Sequence, residues 1–270
     1  MLEPLLAPLR EDFFLRALAA VILGGVTCAC LGAYVVLRRM AFVSTALTHS
    51  ILPGVVGASL LGFSPYLGAL AAALVTAAGA AWLAARRGAS EDSAVGVMLS
   101  VMFAAGVALM QQANSWRDFA GLLFGSVVAV GADDLRVIGV TAAVVLLGLR
   151  LLHKELELAS FDEEYATLLG ARPALLRVVL LALVALGAVS CVRLVGALLT
   201  TALFVIPAAT GVLLGRTVPQ VMAWGVACAL AGGFGGLYLS YHFPAVPSGA
   251  GIVLCCALPY LAARLFAPRR

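Results

Sequence analysis

Residues able to do chemistry are few in this chain, and three of them stand together within residues 38–57, RRMAFVSTALTHSILPGVVG. His49 carries an imidazole that, when neutral, offers a lone pair to a borderline cation such as Zn²⁺. Thr45 lies one helical turn earlier, on the same face. Pro53 has no amide hydrogen, so the carbonyl four residues back, that of His49, loses its helical partner. Position 49 thus presents a nitrogen donor and a carbonyl oxygen at one level. Such a cluster can hold a cation in passing, or it can tie two helices together by hydrogen bonds.

The elements that must position these groups follow from composition. Hydrophobic residues make up 63% of the chain and charged residues 11%, against about 25% charged in ordinary globular domains. A spanning helix needs about 20 apolar residues, and this chain supplies one such run after another. The reading is an all-α, polytopic integral membrane protein, a single domain over residues 1–270. It has about nine transmembrane helices, with eight to ten as the range. The spans are read at 13–37, 42–62, 66–85, 93–111, 134–152, 174–191, 194–214, 218–239 and 249–266, with a half-helix or interfacial piece at 116–131. His49 then lies about 10 Å into the bilayer, at about 1.5 Å per residue from the start of the second span. A histidine at that depth marks a functional site by default.

A formal net charge of +4 does not point to nucleic acid, because the charges cap spans instead of forming a patch. With the polar segment after residue 152 placed in the cytoplasm, twelve basic residues fall inside and five outside. That bias puts the N-terminus outside and the C-terminus in the cytoplasm.

Other residues carry weaker signals. Pro207 interrupts a late span, VGALLTTALFVIPAATGVLL, and is read as a second helix break that frees the Leu203 carbonyl. His242 sits in the loop SYHFPAVPSG, where it is either incidental or part of an outer gate. The six cysteines form no CxxC pair and read as packing residues. Residues 155–170 belong to the longest polar stretch. There Phe161, Tyr165, Leu168 and Leu169 fall on one face of an amphipathic helix, with Asp162 and Glu163 on the other. Lys154 is the only lysine and no GxxxxGK[ST] occurs, so the chain has no P-loop of its own. Nor does any nucleophile, base and orienting group come together. The chain reads as a transport component and not as an enzyme.

Four segments in order resemble one family. RRMAFVSTALTHSILPGVVG, ELASFDEEYATLLGAR, VGALLTTALFVIPAATGVLL and PSGAGIVL look like the signatures of the permease subunits of metal-chelate-type ABC importers for zinc and manganese. The resemblance implies a type II importer permease fold in a prokaryotic cytoplasmic (inner) membrane, working by alternating access. It implies a second permease copy, two ABC ATPase subunits that bind the ATP, and an extracytoplasmic metal-binding protein that delivers the cargo. No cofactor is held permanently. Residues 155–170 would be the coupling segment, with Phe161, Asp162, Glu163, Tyr165, Leu169 and Gly170 at the ATPase. Of the family's second-span aspartate and histidine, only His49 carries over, because Thr45 stands where the acid would be. Ala245 likewise replaces an acid before the last helix. A hydroxyl in place of a carboxylate favours Zn²⁺ over Mn²⁺ as the cargo. Two alternatives stay open: an importer of the same architecture for a metal chelate (siderophore, haem or corrinoid), and an autonomous ion-coupled transporter.

Overall fold

The computed structural model describes residues 8–85, 91–113, 130–243 and 245–266. The half-helix expected at 116–131 falls almost entirely outside them. Among the described residues there are twelve α-helices and one short 3₁₀ turn. They are α1 (Asp12–Leu37), α2 (Ala41–His49), α3 (Leu52–Leu60), α4 (Pro65–Ala84), α5 (Glu91–Ala113), α6 (Ala132–Leu151), α7 (His153–Phe161), α8 (Glu163–Leu168), α9 (Pro173–Val195), α10 (Ala197–Leu214), α11 (Val218–His242) and α12 (Ser248–Phe266).

Seven helical segments are long and apolar enough to cross a membrane, counting α2 and α3 together as Ala41–Leu60. An eighth follows if α6 and α7, bent by 64° at Leu152, are taken as one span. The apolar part of α10, Leu199–Leu214, is shorter. The two extra spans in the expected nine are thus α6, whose ends carry Asp133, Asp134 and Arg150, and the short α10.

Local chemistry explains the boundaries. Pro65, Pro173 and Pro219 sit at the first positions of α4, α9 and α11, where a missing amide hydrogen costs nothing and φ is preset for a helix. Asp134 accepts from the Gly131 amide at 3.1 Å and closes the start of α6. Its neighbour Asp133 pairs with Arg136 at 3.0 Å on the surface.

The centre of the bundle is α1. Its run of small residues, with Ala17, Ala20, Gly24, Gly25, Cys28 and Gly32 all buried, lets α6, α9, α10 and α11 pack closely around it. Outward faces are apolar, for example Val140, Leu147 and Leu151 on α6 and Leu254, Leu258 and Leu261 on α12. Lipid solvates such side chains, so exposure there needs no protein partner.

Buried hydroxyls mostly bond to the carbonyl one turn back. Thr27 to Leu23 O (2.7 Å), Thr76 to Ala72 O (2.8 Å) and Thr210 to Ile206 O (2.9 Å) follow this pattern. One hydroxyl relay crosses helices: Tyr66 Oη on α4 lies 2.9 Å from Ser190 Oγ on α9, which donates to Thr141 Oγ1 on α6 at 2.7 Å. Ser190→Ala is expected to lower stability in detergent by about 1 kcal/mol, in line with interhelical hydrogen bonds in membranes. A melting temperature unchanged from wild type would show that the relay contributes nothing.

Candidate translocation path and coupling surface

The second span is broken where proline requires it. α2 stops at His49, Ser50 and Ile51 form a turn, and α3 resumes at Leu52 with Pro53 in its first turn. Ser50 N still bonds Ala46 O at 2.9 Å and Val55 N bonds Ile51 O at 3.0 Å, so the helical path is nearly continuous. Pro53 supplies no N–H to the His49 carbonyl between them.

His49 is half-buried, its imidazole edge-on to Phe103 of α5 at 6.5 Å between ring centres and 85° between planes. Thr45 is half-buried one turn earlier. The buried hydroxyl that reaches another helix belongs to Thr48: its Oγ1 donates to Thr45 O at 2.9 Å and lies 3.4 Å from Thr201 Oγ1 on α10. Among the described residues no three His, Cys, Asp or Glu side chains converge on a point. Among the described residues His49 thus stands outside any cluster of three such donors, with the Thr45 hydroxyl one turn away and its own carbonyl left without the Pro53 amide.

Two expectations require correction. Pro207 does not break α10, which runs from Ala197 to Leu214 with the proline buried inside it. Its carbonyl lies against Gly225 of α11, and close packing on both sides holds the helix through the missing bond. The two proline spans do pack on each other, α2 against α10. His242 is not a loop residue but the last residue of α11, where Nδ1 lies 3.0 Å from Tyr238 O and the ring lies parallel to that of Tyr238 and edge-on to that of Tyr241. That is a helix-end contact.

The polar segment is also two helices instead of one. Asp162, in extended conformation, ends α7 and caps α8, its Oδ1 accepting from Tyr165 N at 2.8 Å. Gly170, at φ +85°, stops α8, with Ala171 N bonding Ala166 O at 3.0 Å. Leu156, Ala159 and Ala166 are buried and face the bundle. Phe161, Tyr165, Leu168 and Leu169 are uncovered, with relative exposures of 70%, 51%, 83% and 62%. No lipid explains them if the segment lies outside the bilayer, as its acids indicate.

Sequence reasoning missed what holds this segment to the bundle. Tyr34 Oη on α1 lies 2.7 Å from His153 Nδ1 and 3.3 Å from the His153 carbonyl oxygen. Arg38 Nε donates to Ser160 Oγ at 2.9 Å, and Arg38 Nη2 to Leu156 O at 3.4 Å. Glu163 pairs with Arg177 of α9 at 3.3 Å. Arg38 was visible in the sequence only as a charge.

The sequence profile of the ABC 3 transport family matches residues 10–267. The chain belongs to that family. The manganese transport system membrane protein MntC of Halalkalibacterium halodurans is 32% identical over 263 residues, covering 97% of this chain and 90% of that protein. A protein of Haemophilus influenzae named "Probable iron transport system membrane protein" is 30% identical over 270 residues, covering 100% and 99%. Among solved structures, PsaBC from Streptococcus pneumoniae in complex with Fab aligns with a TM-score of 0.88 at 28% identity, covering 98% of this chain and 96% of that one. The ABC 3 chain thus shares nearly its whole helical path with an experimentally determined structure.

Proposed function

We propose that the chain is the membrane-spanning permease subunit of an ATP-driven importer of a divalent transition-metal cation. The observation that carries this reading is the family match over residues 10–267. The geometry supplies the parts: a span interrupted beside His49, and an uncovered apolar surface at residues 161–169 for an ATPase subunit to cover. Two permease copies would bring two such spans to a shared path, since among the described residues of one copy no three His, Cys, Asp or Glu side chains gather there. An extracytoplasmic binding protein would load that path. ATP binding to the partner subunits would move residues 155–170 and open His49 to alternate sides.

The cargo is the finer question. An imidazole with hydroxyls, and Thr45 in place of an acid, favours Zn²⁺ over the harder Mn²⁺. The relatives named for manganese favour the other reading. Uptake of zinc and manganese radiotracers into liposomes holding the chain with its ATPase and binding protein decides between them. In the same assay, His49→Ala is expected to lower uptake about tenfold, a loss of about 1.4 kcal/mol. Wild-type rates in the variant would remove His49 from the path. Uptake without any ATPase would instead favour an autonomous transporter.

A further inference from the structure

We infer that Tyr34 and Arg38, at the end of α1, are positioning residues for energy coupling: they grip α7 and pass its movement to the His49 helix. The inference rests on the importer reading above and names the route by which the docking segment reaches the path.

Tyr34 and Arg38 are one helical turn apart on α1. Their contacts on α7 fall at residues 153, 156 and 160, which share one face of that helix. Tyr34 holds the start of α7 and Arg38 holds its end, so the helix cannot tilt without pulling on α1. Glu157 Oε2 lies 3.6 Å from His153 Nε2. That partner favours the tautomer with its proton on Nε2, leaving Nδ1 to accept from Tyr34. The Tyr34 side chain is fully buried, so its hydroxyl has little freedom to rearrange.

The link from α1 to α2 is short and stiff. Only residues 38–40 separate Leu37 from Ala41. Arg39 adopts φ +59°, a left-handed conformation rare outside glycine. Met40 is buried, and its amide bonds Val35 O at 2.8 Å while its carbonyl accepts from Val43 N at 2.9 Å. α2 then runs directly to His49, about 12 Å along the helix axis. α8 and α7 also pack on α9, and the ion pair that joins them, Glu163–Arg177, has a half-exposed carboxylate. A half-exposed ion pair contributes little energy. A cavity of about 220 Å³, whose lining includes Arg38, Met40, Ala159, Ser160, Glu163 and Arg177, lies between the turn, the outer end of α7 and α9. Across it Arg38 bonds Ser160 Oγ and the Leu156 carbonyl, and the buried Leu156 and Ala159 add apolar contact.

The test uses the complete complex in liposomes and reads metal uptake per ATP hydrolysed. Arg38→Ala and Tyr34→Phe are expected to keep the ATPase subunit bound and hydrolysing ATP, while uptake per ATP falls about tenfold. Adding Ser160→Ala to Arg38→Ala should cause no further loss, because the two groups act as one contact. If Arg38→Ala fails to assemble, Tyr34→Phe, which removes one oxygen atom, decides the matter alone. An unchanged ratio in Tyr34→Phe, or uptake and hydrolysis falling in equal proportion, overturns the inference. A wild-type complex that shows no ATP-driven uptake overturns the importer reading itself, which is a distinct result.

Discussion

Exchanging Leu168 for aspartate is expected to strip the ATPase subunit from the purified complex and with it all ATP-driven uptake. Leu168 is 83% exposed at the end of a six-residue helix, so the bundle itself gains nothing from it. Phe161, Tyr165 and Leu169 are uncovered beside it. Covering a leucine is worth about 2 kcal/mol, and a centrally placed anchor of that size governs an interface. The substitution removes the anchor and places a carboxylate where desolvation would be required. Loss of affinity by about 30-fold or more follows from about 2 kcal/mol alone. The melting temperature of the isolated chain should stay within about 0.5 kcal/mol equivalent of wild type, as for other surface changes. A complex that survives Leu168→Asp with full uptake would show that the ATPase docks elsewhere.

Much of the bundle is legible in the sequence because a bilayer imposes one strong rule, a run of apolar residues of a given length. The ends of α1, α4 and α9 follow from the double arginine at 38–39 and from Pro65 and Pro173. The rule weakens where charges and apolar residues mix. α6 has the length of a span, but Asp133, Asp134 and Arg150 sit at its ends. Residues 161–169 show a helical period that runs across Asp162, yet the Asp162 side chain caps the following amides and splits the helix. Periodicity cannot report a cap that competes with it.

The two prolines show the same limit. Both lack an amide hydrogen, but only Pro53 coincides with a break. The difference lies in surroundings. Pro207 is buried with Gly225 against its carbonyl, whereas Pro53 is half-buried in a less enclosed span. At the path itself, Thr45 was the hydroxyl suggested by helical spacing. The one that reaches α10 is Thr48, through Thr201, 153 residues away in sequence. The grip of Tyr34 and Arg38 on α7 is of the same kind. Such pairings depend on which helices become neighbours, and spacing along one helix does not encode that.

Gly54→Ala is expected to destabilise the chain and impair uptake, while Gly57→Ala, one turn on, should do neither. α3 and α4 cross with Gly54 and Gly68 face to face. A β-carbon on Gly54 would overlap the Gly68 carbonyl oxygen and lie 2.7 Å from Ala72 Cβ, and one on Gly68 would overlap the Gly54 carbonyl. Close approach of backbones through small residues is how membrane helices associate without a hydrophobic driving force. The obstruction is backbone, which cannot rotate aside as a side chain could, so the helices must separate. Overpacking of this kind costs about 1–3 kcal/mol, enough to exceed the gain of up to about 1 kcal/mol from replacing glycine by alanine within a helix. At Gly57 nothing lies within 4 Å of the added carbon, so only the propensity gain remains and the melting temperature should hold or rise. The consequence for transport follows from position. Gly54 is adjacent to Pro53, and α3 lies immediately beyond the break that ends α2 at His49. Pushing α3 away from α4 therefore displaces the break itself. Equal melting temperatures for Gly54→Ala, Gly57→Ala and wild type would mean that the α3–α4 crossing is loose and cannot be what fixes His49.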